Sequence, residues 1–409
     1  MSEYSDQEKL KKLEEIRKEK LAAREKQINK MKNLIFALVI IFIIVVVALV
    51  VLIKKQAGKP EKIKSKTTSF SNDAGDENAG ELESVTTEES APIEASVSDA
   101  EPEDFEIKMN FVGDCCMATN LQDKSQGTLL WYEANYPTSY FFEKVVDVFE
   151  ADDFTVANCE NVFSDSSNGP RDKGPGTNYW FKAPTRFAKV FSDNSIEAVT
   201  VNNNHTNDYG PDDFEDTKKA LDDAGVDWGF RDKIIYYEKN GFKVAVVRVS
   251  YYSYEEAEGV VKWLKTATEN SDFQIVFFHG GIEHIFEVEG WKRDACHLMV
   301  DNGADLVLGS HPHVLQKREN YNGADIVYSL GNFCFGGNTA PQPNRTIIYG
   351  YTLKVHKEGD SVELVGREEN MIPCYIYTGG ANNWQPAIVE DEEVKEQIMK
   401  FMNGELASF

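Results

Sequence analysis

The chain has 409 residues, a formal net charge of −25 and six cysteines. So acidic a chain excludes nucleic acid and anionic lipid as broad-surface partners, because both would be repelled. Cys115, Cys116, Cys159, Cys296, Cys334 and Cys374 follow no regular spacing and include no Cys-x-x-Cys pair, so no disulfide framework and no structural zinc site is legible.

Residues 1–33 read as a charged tail, with ten Lys or Arg against seven Asp or Glu in residues 1–32. Leu34 to Ile53 is an unbroken apolar run without charge, Gly or Pro. At about 1.5 Å per residue its length matches the roughly 30 Å hydrocarbon layer of a bilayer. The long preceding tail and the lack of a small-x-small cleavage site argue against a removed leader. Residues 54–105 begin with six lysines between Lys54 and Lys66, then carry no Lys or Arg from Ser71 to Glu106. Such a segment, rich in Ser, Thr, Ala, Pro and Glu, is expected to be a disordered, self-repelling stalk. The flanking lysines make the positive-inside bias modest, and the stalk tips the balance. The expectation is an uncleaved signal anchor in the cell membrane: single pass, N-terminus cytoplasmic, main domain extracellular.

From 106 to 380 the composition becomes that of a globular α/β domain. Strands are expected at Ile107–Val112, Phe154–Ala157, Ala198–Val201, Val244–Val249, Phe273–Phe278, Leu306–Leu308 and Ile326–Leu330. Helices are expected at Asp213–Ala224, stopped by Gly225, and at about Trp291–Asn302, stopped by Gly303. Alternating strands and helices imply largely parallel strands, and the length suits two packed sheets with helices outside. Residues 381–409 read as a C-terminal tail with a helix over Glu392–Met402.

The chemistry gathers at strand ends, where open α/β folds bind ligands. The first strand ends in Gly113-Asp114-Cys115-Cys116 and the second in Asn158-Cys159-Glu160-Asn161. The third runs into Asn202-Asn203-Asn204-His205 with Asp208 three residues on. Later strands end in His279-Gly280-Gly281-Ile282-Glu283, in Gly309-Ser310-His311-Pro312-His313 and in Ser329-Leu330-Gly331-Asn332-Phe333. Two of only seven histidines flank Pro312, whose fixed φ stiffens the turn. Each feature alone also fits a turn, a cap or a solvated histidine. Together, carboxylates, amide oxygens and imidazoles suit divalent Mn, Zn or Fe, and two such ions make a hydrolytic site. Gly169 to Pro184 is a Gly- and Pro-rich loop that places Arg171, Lys173 and Lys182 in an acidic protein. It reads equally as an anion-recognition loop and as a solvated one.

Gly113-Asp114, Asn158-x-Glu160, Asn203-Asn204-His205 with Asp208-Tyr209-Gly210, His279-Gly280-Gly281-x-Glu283, Gly309 to Gln316 and Tyr328 to Phe333 resemble, in order, the motifs of the CapA family of poly-γ-glutamate capsule biosynthesis proteins. That family is similar to calcineurin-like metallophosphoesterases. The resemblance, over about residues 106–375, implies a four-layer α/β/β/α sandwich, preceded here by the single transmembrane helix and stalk, with two divalent metal ions. Carried over, it makes Asp114, Glu160, Asn204, His279, His311 and His313 metal ligands, with Cys116 and Asn158 as further candidate ligands. His205, with Asp208, would protonate the leaving group. Arg171, Lys173, Glu283 and Asn332 become candidate substrate-binding residues. The sequence departs from the pattern twice: Cys116 stands where Asp-x-His has its histidine, and Glu160 stands where an aspartate bridges the metals. Cys116 reads as a zinc-type thiolate, a buried bystander, or a disulfide partner of Cys159. Alternation along an extended strand would turn Cys115 to the opposite face from Cys116. The implied role is envelope-polymer production, acting on an anionic polymer or phosphoester, with polyglutamate synthase membrane subunits as partners and no nucleic acid. The alternatives are a non-catalytic polymer-binding accessory subunit and a generic exported metallophosphodiesterase.

Overall fold

The structure, a computed structural model, describes residues 102–120 and 123–409. The charged tail, the apolar run and nearly all of the expected stalk lie outside the described residues. Among the described residues, no helix is long and apolar enough to cross a membrane.

In chain order the strands are β1 (Glu103–Cys116), β2 (Phe154–Cys159), β3 (Val162–Phe163), β4 (Lys182–Ala183), β5 (Ala198–Thr200), β6 (Asp227–Gly229), β7 (Ile235–Lys239) and β8 (Phe242–Ser250). They continue with β9 (Phe273–His279), β10 (Leu306–Ser310), β11 (Leu315–Tyr321), β12 (Ala324–Leu330), β13 (Asn332–Phe335), β14 (Thr346–Glu358), β15 (Ser361–Tyr375) and β16 (Ala387–Ile388). The first sheet runs β16-β15-β14-β1-β2-β5-β6, with β13 also paired to β1; the second runs β11-β12-β10-β9-β8-β7. Strands β1, β2, β5 and β6 are parallel, as are β8, β9, β10 and β12. Antiparallel strands edge both sheets.

Strand alternation sorts the side chains into layers. Ile107, Met109 and Phe111 of β1 pack with Val244 and Val246 of β8, Ile275 and Phe277 of β9, and Leu306 and Leu308 of β10 in one core between the sheets. Val112, Ala157 and Val199 face outward under Phe141, Phe149, Phe187, Phe214 and Leu221. On the far side, Val247, Val276 and Val307 lie under Ala257, Leu264, Ala295 and Met299. The order is therefore helix, sheet, sheet, helix.

Helices α1 (Leu129–Asn135), α2 (Val146–Glu150), α3 (Lys189–Ser192) and α4 (Pro211–Ala224) belong to the first outer layer; α5 (Tyr254–Thr268) and α6 (Gly290–Asp301) form the second. The boundaries of α4 follow from its sequence. Pro211 opens it, Asp212 and Asp213 face the positive end of its dipole, and Gly225 closes it in the left-handed region at φ 73°. The last helix, α7 (Glu392–Met402), sends Ile398, Phe401 and Met402 into the inter-sheet core, together with Val389. The C-terminal tail is thus packed into the same core as the strands.

Candidate metal centre

The carboxyl ends of the parallel strands of both sheets converge. Asp114 stands opposite Asn158 in the β1–β2 register and opposite Asn332 in the β1–β13 register. His279 stands opposite both Ser250 and Ser310. Glycine permits this crowding: a Cβ on Gly113 would lie 1.9 Å from the Gly331 carbonyl oxygen, which accepts the Asp114 N–H at 2.8 Å.

Two sets of donor atoms result. Glu160 lies with His311 and His313 in one, and with Asp114 and His279 in the other; each set falls within 4.8 Å. Glu160 is common to both, and its Oε1 is 3.5 Å from His279 Nε2, 3.9 Å from His313 Nε2 and 4.0 Å from His205 Nε2. Both Glu160 oxygens are buried without a hydrogen-bond partner. A buried carboxylate left so costs several kcal/mol by general estimate, unless a cation or proton compensates it. Burial first, then the Asp114 charge, holds its carboxyl well above the usual range. Asn204 completes the set, with its Oδ1 2.8 Å from His279 Nε2, whose ring also lies 3.0 Å from His311 Nδ1. These hard and borderline donors around an orphaned carboxylate fit divalent transition ions.

The remaining electrostatics divide the imidazoles. Burial pushes His279 well below its usual value and takes His311 down to about 3. His313 is opposed by burial but lifted by the Glu160 and Asp114 charges to about 10. Asp114 is raised by burial, but its His313, Asn158 and His311 contacts outweigh this and leave it low. His311 and His313 hold φ of 99° and 59°, and His284 holds 59°. Strain of about 1–3 kcal/mol per such residue is tolerated where function requires the geometry. The turn is pinned by His311 N–H donating to Asp114 Oδ2 and by His284 N–H donating to the Pro312 carbonyl.

Behind these donors is a supporting layer. Asn158 donates to Asp114 Oδ1 at 2.7 Å, while its own oxygen accepts from Thr200 and from Arg248. Its oxygen is thereby spent on Thr200 and Arg248, and its amide N–H on Asp114. Arg248 is fully buried, donates also to the Phe277 and Asn202 carbonyls, and is lowered by burial to about 9. It escaped the sequence reading, although a lone arginine inside the apolar run Val244–Val249 was its signal. Ser310, bonded to His279 Nδ1 at 3.0 Å, and His284, over His313 with rings 5.9 Å apart, were also missed.

Cys116 is buried in the outer apolar cluster, belongs to neither donor set and donates its thiol to the Ala118 carbonyl. Burial pushes its thiol well up. Cys159 is also a free thiol, so the expected alternative of a disulfide is not formed. Cys115 lies in the same cluster as Cys116, and the β1 register shifts between Asp114 and Cys116.

His205 and Asp208 come together, with His205 Nδ1 2.8 Å from Asp208 Oδ2. Asp208 also accepts the Phe181 N–H and pairs with Lys173 at 2.5 Å. Lys173 and Lys182 are thus spent on partners flanking the loop, Lys182 binding Asp213 and the Ser166 and Asn168 carbonyls. Arg171 is exposed, and its guanidinium has no hydrogen bond or ion pair among the described residues. Arg171, Lys173, Asn204, His205 and Glu283 line a cleft of about 420 Å³; His205, Glu283, His284, His313 and Asn332 line another of about 300 Å³. Asn332 Oδ1 accepts the N–H of His313 Nδ1 at 2.9 Å.

Residues 108–337 match the family described as bacterial capsule synthesis protein PGA_cap. The PGA biosynthesis protein CapA of Bacillus subtilis is 28% identical over 251 residues, covering 56% of this chain and 63% of the relative. The capsule biosynthesis protein CapA of Bacillus anthracis is 28% identical over 261 residues, covering 57% and 61%. The chain thus spans a little under two thirds of the length of these relatives. Among solved structures, a calcineurin-like phosphoesterase, YfkN of Bacillus subtilis, aligns at 14% identity over 74% of this chain and 98% of its own, with a TM-score of 0.39. A phosphatase from Mycoplasma pneumoniae aligns at 13% over 72% and 97%, with a TM-score of 0.37; likenesses this distant carry no assignment. The family match covers more than half of the chain, from the first site strand to the last, and the chain belongs to the bacterial capsule synthesis protein family PGA_cap.

Proposed function

We propose that this chain is a membrane-anchored, outward-facing CapA-type protein that acts in poly-γ-glutamate or related envelope-polymer production through a two-metal, hydrolase-like site. In this reading the fold is a metallophosphoesterase-like sandwich, and the substrate is an anionic polymer or phosphoester. Polyglutamate synthase membrane subunits are the partners. The observation that carries the reading is the buried, unpartnered Glu160 carboxylate shared by two donor sets. Asp114, Glu160, Asn204, His279, His311 and His313 would hold the ions. Bound there, divalent metals supply Lewis acidity and lower the pKa of a coordinated water. The chain's own residues do the rest. Asp208 fixes the His205 ring through Nδ1, which leaves Nε2, 4.0 Å from Glu160 Oε1, to handle the proton of the departing group. Phe181 packs on the same ring, with centroids 4.4 Å apart, and limits its rotation.

The test is metal analysis of the purified protein beside His311→Ala/His313→Ala. One or two divalent ions per chain are expected in the wild type, and most should be lost in the folded double variant. Equal metal content in the two proteins would sink the reading. Its topological part is tested by protease added to intact cells, which should release a fragment starting between about Thr67 and Glu106. Protection until lysis would reverse the orientation. A second reading, a polymer-binding accessory subunit without catalysis, is favoured by one observation: the inert Cys116 where the related enzymes carry a histidine ligand. Metal bound without turnover of any phosphoester or γ-glutamyl substrate would select it.

A further inference from the structure

A separate groove lies on the outer face of the first sheet. Along β1, Ile107, Met109 and Phe111 enter the inter-sheet core, so Glu106, Lys108 and Asn110 face the other way. The β1–β14 and β14–β15 registers set them in rows across the sheet: Asn110, Gly350 and Asn370 in one, Lys108, Thr352 and Glu368 in the next. Helix α2 and the turn after it supply Asp147, Ala151 and Asp152 to the opposite wall of a cleft of about 600 Å³. None of the residues lining it is a candidate metal ligand.

Two independent features of the groove call for a ligand. Asn110 is only 6% exposed, and its Nδ2 donates to Asp152 Oδ2 at 2.7 Å and to the Val148 carbonyl. Its Oδ1 has no partner among the described residues. Gly350, opposite in the register, keeps the space before that oxygen open: a Cβ there would lie 3.2 Å from Asn110 Oδ1 and 2.9 Å from the Asn370 carbonyl oxygen. An acceptor so placed is satisfied only by a donor from outside the fold. The second feature is charge. Glu106, Asp147, Asp152 and Glu368 line the groove with a single cation, Lys108. Glu106 pairs with Lys108 at 3.6 Å and Glu368 with Lys354 at 3.2 Å. Asp147 and Asp152 have no ion pair among the described residues. Burial then raises the Asp152 carboxyl to about 7.

The lining selects among cations. Among the described residues, the donor groups that converge tightly enough to hold a metal ion lie at the candidate metal centre, and none lies here. Between the carboxylates the groove presents Val148, Ala151 and Ile372. Charge at intervals with apolar surface between suits ammonium groups separated by methylenes, and an ammonium is a donor only, as Asn110 Oδ1 requires.

We propose that this groove binds a linear polyamine, with ammonium groups at Asp147, Asp152 and Asn110 Oδ1 and methylenes along Val148 and Ile372. The site is independent of the metal centre and of the role assigned to it.

The test is titration calorimetry of the full-length protein with spermidine, at about 0.15 M salt to screen loose attraction to so acidic a chain. Butylamine is the single-charge control, and magnesium chloride the divalent one. Spermidine should bind roughly tenfold more tightly than either, since its linked charges act together. Asp147→Lys, at an exposed position, and Asp152→Asn should each weaken it roughly fivefold or more, whereas Glu258→Lys, exposed on α5, makes the same charge change outside the groove and should not. The groups facing Asp152 are Asn110, Thr155, Asp153 and Glu197; Asp153 is held by Lys239 at 2.7 Å, and Glu197 accepts the Thr155 N–H. Affinity should therefore rise with pH through about 7 in wild type and rise less in Asp152→Asn. Equal weakening by Glu258→Lys and Asp147→Lys would overturn the proposal, because binding would then follow net charge alone. Magnesium binding as tightly as spermidine would overturn it too, and tighter binding of a tetralysine peptide would replace the polyamine with a peptide partner.

Discussion

Glu160→Gln isolates the feature on which the metal site depends. The substitution keeps the length and shape of the side chain and removes only its capacity for charge. In the metal-free protein Glu160 is fully buried, with both oxygens unpartnered, near the Asp114 carboxylate. At neutral pH it must take up a proton or remain an unpaired charge, and glutamine does neither. The metal-free variant should therefore be about as stable as wild type, because the glutamine amide stays unsatisfied in the same pocket but brings no charge to be neutralised. Metal separates the two. An ion present at 100 times its Kd stabilises the wild type by about 2.7 kcal/mol. For a domain of a few hundred residues this is roughly a 5–10 °C rise in Tm. Because Glu160 belongs to both donor sets, the Glu160→Gln substitution should remove most of that rise. The assay is thermal unfolding by circular dichroism after chelation, then with added Mn or Zn, with metal content measured in parallel. A metal-free variant melting well below wild type would refute the reasoning, and so would a variant that keeps the full metal-induced rise.

Cys116→Ser should leave metal content unchanged, since the thiol is outside both donor sets and bonded to the Ala118 carbonyl; mass spectrometry of the intact metal-loaded protein would read any loss. Asp152, raised to about 7 chiefly by burial, gives a stability signature remote from the metal centre. Its folded pKa lies above its unfolded value of about 3.9, so its contribution is full below that value and is lost as pH rises through about 7. Urea titrations from pH 4 to 8 should show this decline in wild type and a weaker one in Asp152→Asn; identical profiles would rule it out.

How much the sequence revealed depended on locality. The strands that carry the candidate ligands were legible because each is a short apolar run ending in a polar cluster, and β9 extends the expected Phe273–Phe278 by one residue, to His279. The β14–β15 hairpin was not. Strand β14 opens on a run of buried residues while β15 exposes Glu363, Arg367 and Glu368, and the pairing of Glu358 with Ser361 across Gly359 fixes the turn. Helix α5 was missed although Ser253 caps it through the Glu256 N–H. The order of the ligand clusters could be read in one dimension. The resemblance had already put Glu160 in a shared place, whereas the amide orientation of Asn158 required knowing that β2 lies beside β1, and Arg248 required knowing that β8 faces them.

The proposed ligand set is divided between the sheets, and this shapes what can disturb it. Asp114, Glu160 and Asn204 leave strands of the first sheet, whereas His279, His311 and His313 leave strands of the second. Each donor set takes residues from both sheets. Their spacing is set by the core between them, where Phe111 meets Phe277 edge-on at 6.4 Å. Arg248 spans the same gap by a different means. It springs from β8 in the second sheet and donates to Asn158 and the Asn202 carbonyl in the first. A buried cation without a directly paired carboxylate is costly, and its desolvation is visible in the lowered Arg248 value. The cost is met by carbonyl and amide acceptors from both sheets, and Asn158 in turn fixes Asp114. The apolar core thus sets the distance between the carboxylate half and the imidazole half, while Arg248 sets their orientation. Substitutions far from the ligands, at Phe111 or Phe277, should therefore weaken metal binding before they unfold the protein.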